Sequence, residues 1–139
     1  LARSVFGPIR GAWADETWNG WWGKNPPSPA PTYILTHHAR PSIELEGGTI
    51  FHFVTDGIES ALSQARAAAG DKDVKIGGGV DTVRQFLRAR LIDEMHLALA
   101  PVLLGKGEAL FAGLDLRELG FRVVESTATN AATHLVLAR

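Results

Sequence analysis

Three consecutive glycines, Gly77, Gly78 and Gly79, separate a short apolar run from a segment with helical spacing. A turn of this kind presents several backbone N–H groups at a helix start, without side chains that obstruct a close ligand, and this suits a phosphate group. A tight turn that needs glycine only for its backbone conformation is an equally good interpretation. The pattern matches neither the GxGxxG fingerprint nor the phosphate loop of nucleoside triphosphatases, so those two kinds of site are not indicated.

A second group of polar residues, Thr36, His37, His38 and Arg40, lies at the end of the apolar run 33–36. Ligands of open α/β sheets bind at the carboxyl ends of strands, so these side chains could hold a phosphate or stack on a base. A solvated strand end explains them equally well. Adjacent strand residues point to opposite faces, which disfavours a metal ion shared by His37 and His38. The remaining histidines occur singly in strand-like segments and are interpreted as structural or surface groups: His52, His96 and His134. No metal site is predicted.

Covalent catalysis is disfavoured, because the chain has no cysteine and no GxSxG motif. The carboxylates Asp93 and Glu94 follow a predicted helix and precede a predicted strand, where a solvated turn is the simpler interpretation. No catalytic residue is therefore assigned.

Strand and helix patterns alternate through the middle of the chain. Strand-forming residues dominate 33–36 and 49–55. Helical spacing then runs from Ile58 until Gly70, with Asp56 as the predicted N-cap. These segments predict two strands followed by a helix.

The strand and helix order then repeats. A strand is predicted at 73–76, and a helix follows the glycines with an apolar face between Val80 and Leu91. Residues 95–104 are almost continuously apolar, as in a strand buried on both faces. Segments on either side of Asn130 predict an antiparallel pair. This order implies an α/β fold with a mixed, mostly parallel central sheet, flanking helices and a C-terminal antiparallel strand pair.

The 139 residues fit a single domain spanning 1–139. Hydrophobic residues make up 45% and charged residues 21%, with a net charge of -1, which argues against disorder and against a nucleic-acid partner. Without an apolar run of transmembrane length, a signal-peptide pattern or cysteines, we expect a cytoplasmic protein with no membrane partner. Because the chain begins at Leu1, in what looks like a strand end, we expect the domain to be N-terminally incomplete.

All four tryptophans lie in one loop-like segment ahead of the proline-rich stretch 25–31, at Trp13, Trp18, Trp21 and Trp22. Aromatic residues are enriched at interfaces. We therefore expect them to pack over the sheet or in a dimer contact rather than to form a substrate lid.

The segments "ARSVFG" and "YILTHHAR", the strand-"IGGG"-helix unit and the block "LIDEMHLALAPVLLGKGEALF" resemble the dihydrofolate reductase superfamily. The closer likeness is to the C-terminal reductase domain of the bifunctional riboflavin-biosynthesis enzyme and its stand-alone relatives. The resemblance covers nearly the whole chain. It implies a dihydrofolate reductase-like three-layer fold, a homodimer, and NADPH-dependent hydride transfer to a pteridine-like, ribosylaminopyrimidine or other small-molecule substrate.

The resemblance also implies where NADPH binds. Residues 3–5 and 77–81 correspond to positions that contact the cofactor phosphates, residues 36–40 to the strand end that holds the adenosine 2′-phosphate, and Thr55 with Asp56 to the adenine side. The cofactor-binding residues implied are Arg3, Ser4, Val5, Thr36, His37, His38, Arg40, Thr55, Gly77, Gly78, Gly79, Val80 and Asp81.

One wall of a substrate pocket is implied at Pro101, Leu103, Gly105 and Lys106. Lys106 could pair with a substrate phosphate, and a solvated loop is an equally good interpretation. In dihydrofolate reductases the substrate-side acid belongs to an earlier segment, which is expected to precede Leu1 here. The catalytic residue therefore stays unknown.

Two other functions are compatible with the same residues. A nucleotide-binding regulatory protein would keep the cofactor cleft and reduce nothing. A structural α/β domain without a ligand would make the glycines and the basic strand end coincidental. An ionisable or polar group facing the nicotinamide pocket would favour the enzyme.

Overall fold

The computed structural model describes residues 1–14 and 17–139, so two positions within the tryptophan-rich segment lie outside the described residues. The chain divides into two compact units, Leu1–Thr82 and Val83–Arg139. Its elements are α1 (Arg3–Phe6), β1 (Pro31–Leu35), β2 (Ile43–Glu44), β3 (Ile50–Val54), α2 (Ile58–Ala69), α3 (Val80–Arg88), β4 (Glu94–Leu99), β5 (Arg122–Ala128) and β6 (Thr133–Ala138).

The first unit is built on a three-stranded sheet in the order β1-β3-β2. β1 and β3 are parallel, with Leu35 opposite Val54, and β2 is antiparallel to β3. The N-terminal residues extend this pairing, because the Leu35 amide donates to the Leu1 carbonyl at 2.8 Å and Ala2 forms a parallel bridge with Leu35. The start of α1 is thereby held beside the end of β1.

Aromatic side chains form the core of the first unit. Phe6, Ile34 and Phe51 are almost fully buried, and Trp13 and Trp18 pack against them. Phe6 makes edge contacts with Trp13 and Phe51 at centroid distances of 6.1 and 5.2 Å, an arrangement that aromatic pairs favour. Trp13 and Trp18 therefore pack on the sheet, and the Trp22 ring stacks on Phe51 of β3 at a centroid distance of 6.0 Å. Trp21 and Trp22 are more open to solvent, with 58% of Trp21 and 39% of Trp22 exposed.

α2 ends as predicted, since Gly70 is its C-cap. Its N-cap is Gly57, not Asp56, so the predicted cap is wrong by one residue. The Asp56 carboxylate instead accepts a hydrogen bond from the Thr55 hydroxyl at 3.1 Å. The helix packs against β1 and buries Ala61 and Leu62.

The predicted strand at 73–76 is not formed, because residues 73–79 have no regular secondary structure. Val74 and Ile76 are half-buried and alternate with exposed Asp73 and Lys75, which is a strand-like pattern. Alternation alone makes no strand, since a strand also needs a neighbouring backbone with free N–H and C=O groups. The helix after the glycines forms as expected and ends at Arg88, with Phe86 and Leu87 buried.

The second unit contains an antiparallel sheet in the order β4-β6-β5. The predicted C-terminal antiparallel pair is confirmed as β5 and β6. The long buried strand predicted at 95–104 is wrong, because β4 ends at Leu99 and most of its residues are exposed. β6 begins at Thr133, which pairs with Leu99. The residues that follow Leu99 therefore have no β6 residue to pair with. Pro101, which has no N–H, also disfavours further pairing.

Helices and both parallel and antiparallel strand pairs confirm the predicted α/β class. Parallel pairing among the described strands is confined to β1 with β3, extended by the Ala2–Leu35 bridge. The two three-stranded sheets are separate in their hydrogen bonding within residues 1–14 and 17–139.

Candidate functional site

Three segments predicted to bind one ligand meet in the first unit: the start of α1, the end of β1 and the glycine turn. The Ala2 amide donates to the Gly78 carbonyl at 2.7 Å, and Ala2 also forms the parallel bridge with Leu35. One residue thus joins the glycine turn to the strand end. We call this region the Ala2 junction.

The structure gives a reason for glycine at two of the three positions of the turn, Gly77 and Gly78. A Cβ on Gly77 would lie 2.7 Å from the Leu1 side chain, so this position requires close approach. Gly78 has a φ of +94°, which disfavours other residues, and a Cβ there would meet nothing within 4 Å. A Cβ on Gly79 would lie 3.7 Å from Ser4 Oγ. The turn therefore has open space at Gly78. The peptide bond between Gly78 and Gly79 is cis.

The start of α3 follows directly after the glycines, with Val80 half-buried and Asp81 exposed. Asp81 lies in the first helical turn, where the negative charge of its carboxylate interacts favourably with the helix dipole. The same negative charge would repel a phosphate. Backbone N–H groups, and not the Asp81 side chain, are thus the groups at this end that suit an anion.

Arg3 connects α1 with the end of β1. Its Nη1 atom donates to the Gly11 carbonyl and lies 3.5 Å from Thr36 Oγ1. Its guanidinium carbon lies 3.7 Å above the Trp13 ring centroid, well within the range of a cation–π contact. The Arg3 head group is therefore held in one position.

The Arg3 guanidinium keeps unused donors. Its Nε and Nη2 atoms are buried and have no hydrogen-bond partner among the described residues. Burial, and then the positive charges of Arg10 and Arg40, lower the pKa of Arg3. Buried donors without partners are costly, so this guanidinium is suited to receive an anion.

The strand end at Thr36 is shaped by hydrogen bonds within its own turn. Thr36 is buried, and its hydroxyl oxygen accepts from the His38 amide at 3.2 Å. The His38 carbonyl accepts from Trp13 Nε1 at 2.9 Å. The His38 side chain is half-buried, and His37 is exposed.

Arg40 and Thr55 complete the predicted strand-end site in different ways. Arg40 is buried, donates to the Trp18 carbonyl at 2.8 Å, and has its guanidinium 5.0 Å from the Trp13 ring centroid. It supports the tryptophans and adds positive charge near Arg3. Thr55 follows β3 at the same sheet edge as Thr36, because Leu35 and Val54 are paired in parallel register.

Trp13 and Arg10 are not among the site residues predicted from the sequence. The Trp13 ring packs against the Arg3 guanidinium, and Arg10 places a second positive charge near it. Arg10 donates to the Gly7 carbonyl at 2.9 Å. No recognisable motif surrounds either residue. The only indication in the sequence is the concentration of tryptophans that includes Trp13.

The predicted substrate-pocket residues belong to the second unit and are all exposed, namely Pro101, Leu103, Gly105 and Lys106. Leu103 is fully exposed. Within the second unit they form an open stretch without regular secondary structure.

Two further findings concern metals and membranes. Among residues 1–14 and 17–139, no three His, Asp or Glu side chains lie close enough together to hold a metal ion. Of the helices in the described part of the chain, none has the length and apolar character needed to cross a membrane.

Comparison with known proteins connects this geometry to a family. The sequence model of the RibD C-terminal domain matches residues 8–135. The chain is 32% identical over 65 residues to "Uncharacterized protein YyaP" of Bacillus subtilis (strain 168). Its fold matches the crystal structure of a "Putative riboflavin biosynthesis protein" from Shewanella sp. PV-4 with a TM-score of 0.58 and 24% identity. The expected dihydrofolate reductase-like fold is confirmed.

These matches cover parts of longer proteins. The Bacillus match involves 47% of this chain and 34% of the relative. The Shewanella match involves 81% of this chain and 62% of the solved chain. The chain thus spans less than two thirds of the length of either protein.

Proposed function

The chain belongs to the RibD C-terminal domain family, which implies a reductase-like enzyme, and we propose that it is an NADPH-dependent reductase. In this proposal the Ala2 junction binds the phosphates of NADPH. The substrate is a small molecule of the pteridine-like or ribosylaminopyrimidine kind, or another small acceptor of hydride.

The observation that carries the proposal is that the Arg3 guanidinium has buried donors without hydrogen-bond partners among the described residues. Two of its nitrogen atoms, Nε and Nη2, are buried without hydrogen-bond partners in the described chain, and Nη1 lies 3.5 Å from the hydroxyl of buried Thr36 at the end of β1. A phosphate would supply the missing acceptors, since arginine and phosphate form strong charge-assisted hydrogen bonds. The open space at Gly78 would admit a second phosphate group close to the backbone.

The basic strand end supports a preference for NADPH over NADH. The two cofactors differ by the 2′-phosphate, which adds negative charge at the adenosine ribose. Arg3 lies at the strand end assigned to that phosphate, with the charges of Arg10 and Arg40 nearby. A cluster of cations favours the more negative cofactor.

When bound, NADPH supplies the hydride. The chain's own residues bind and orient: Arg3 and Thr36 hold one phosphate end, and the backbone at Gly77–79 holds the pyrophosphate. We propose that Pro101, Leu103, Gly105 and Lys106 border the substrate, with Lys106 pairing with an anionic group. The residue that donates a proton is not assigned.

A titration with both cofactors tests the proposal. Trp13 lies against Arg3, so NADPH binding should quench tryptophan fluorescence saturably, with a weaker response to NADH. Absence of binding by either cofactor at millimolar concentration would overturn the cofactor site. Binding without NADPH oxidation across pteridine and aminopyrimidine substrates would favour the alternative function, a nucleotide-binding regulatory protein.

We also propose that the chain forms a homodimer through the second unit. Its exposed apolar residues include Leu99, Val102 and Leu104, with 58%, 63% and 80% of each exposed. Exposed apolar patches of this kind mark interaction surfaces.

Light scattering during size-exclusion chromatography checks this prediction. We expect a dimer mass for the native chain and a shift to monomer for Leu104→Asp, because a buried charge opposes association. Ser126→Asp adds the same charge at an exposed position of β5 and should stay dimeric. A monomeric native chain would refute the dimer.

A further inference from the structure

Two histidines that are far apart in sequence form a pair on the second sheet. His96 lies on β4 and His134 on β6, and their ring nitrogens Nε2 and Nδ1 are 3.0 Å apart. The rings are nearly coplanar, with an interplanar angle of 17°, and their centroids are 5.2 Å apart, so they meet edge to edge along the line that joins the two nitrogens. From the sequence alone, each is interpreted as a single structural or surface group.

The strand register explains why these rings meet. His96 is opposite Val136, and His134 is opposite Ala98, so the two histidines are diagonal neighbours on one face. Ala98 has a small side chain, which leaves room for the His134 ring. His96 is exposed and His134 is half-buried, so the pair is open to solvent.

The separation of the two nitrogens suits a shared metal ion. Imidazole nitrogen binds zinc at about 2.0–2.1 Å, so two ligands on one ion lie about 2.8–3.4 Å apart for bond angles from a right angle to tetrahedral. The observed 3.0 Å lies within this range. The two nitrogens share one hydrogen bond, so one of them carries a proton, and that ring must adopt its other tautomer to bind an ion. Each lone pair must also turn by about 35–45° from the line between the nitrogens to reach a shared ion.

We propose that His96 and His134 form a bidentate site for a divalent transition-metal ion, with Cu²⁺ bound most tightly, then Ni²⁺ or Zn²⁺. Imidazole ligands suit these ions, and the order of affinity follows the general trend for divalent metals. Among the described residues no third His, Asp or Glu completes a set of three. Water therefore fills the other coordination positions, and the site is of modest affinity and reversible.

Calorimetric titration of the untagged chain with Ni²⁺ tests the site. We expect one ion per chain, and His96→Gln and His134→Gln should each weaken binding by about 10-fold or more. His37→Gln and His52→Gln are matched controls in the first unit and should bind like the native chain. Circular dichroism of each variant shows whether the fold is kept.

Electron paramagnetic resonance with Cu²⁺ gives a second readout, which needs no cofactor or substrate. Coupling to two imidazole nitrogens is expected in the native chain, and to one in His134→Gln. Native affinity in both His96→Gln and His134→Gln would overturn the site, as would loss of binding in His37→Gln. No Ni²⁺ binding at millimolar concentration would do the same.

Discussion

Replacing Gly78 by valine should weaken NADPH and NADH binding alike, raising each Kd by about 100-fold or more. The native position leaves open space within 4 Å of a Cβ, and a branched side chain would fill the space in which we propose that the pyrophosphate meets the backbone. A hydrogen bond to a charged group contributes about 1.5–3 kcal/mol. Loss of two such bonds corresponds to at least the stated change in Kd. Fluorescence titration with both cofactors measures it.

Gly70→Val is the matched control. Gly70 also has a positive φ, +62°, and a Cβ there would also meet nothing within 4 Å. It caps the C-terminal end of α2 and is separated from the glycine turn by residues 71–76. Both variants should lose roughly 1–3 kcal/mol of stability through backbone strain, yet only Gly78→Val should lose binding. A Gly78→Val chain that binds NADPH normally would show that the glycines serve the turn alone.

Arg3→Ala should raise the Kd for NADPH by about 10–150-fold, the equivalent of one lost charge-assisted contact of about 1.5–3 kcal/mol. The effect on NADH should be smaller, because Arg3 lies at Thr36, the strand end assigned to the 2′-phosphate. Comparison of the two Kd values therefore separates this variant from Gly78→Val, which should affect both cofactors equally.

Arg3→Met controls for packing, since its unbranched side chain can still cover the Trp13 ring without a charge. We expect it to lose binding as Arg3→Ala does. Arg66→Ala removes a positive charge from the exposed face of α2 and should bind NADPH normally. Unchanged NADPH binding by Arg3→Met would mean that the unpaired guanidinium atoms do not contact phosphate.

The local parts of the candidate site were predictable from sequence. Three glycines between an apolar run and a helix indicated an open turn, and structure gives Gly78 the positive φ and free space that such a turn needs. The polar residues after 33–36 indicated a strand end, and β1 ends at Leu35. Both inferences depend on short-range rules of backbone conformation and strand alternation.

Features that depend on a distant partner could not be predicted in this way. The apolar runs at 73–76 and 100–104 suggested strands, but strand formation requires a neighbouring backbone that composition does not reveal. Likewise, Trp13 lies under Arg3 only after the loop folds back on the sheet. His96 and His134 meet only because β4 and β6 pair in one register.

The unpaired guanidinium atoms of Arg3 also have a consequence for how long the protein survives in a cell. Their burial without acceptors opposes folding of the empty first unit. A bound anion removes this opposition, and a ligand that binds only the folded state adds stability in proportion to the logarithm of its concentration. With the proposed NADPH as that anion, resistance to proteolysis should follow the supply of cofactor, and chains left empty when the cofactor is scarce should be degraded first.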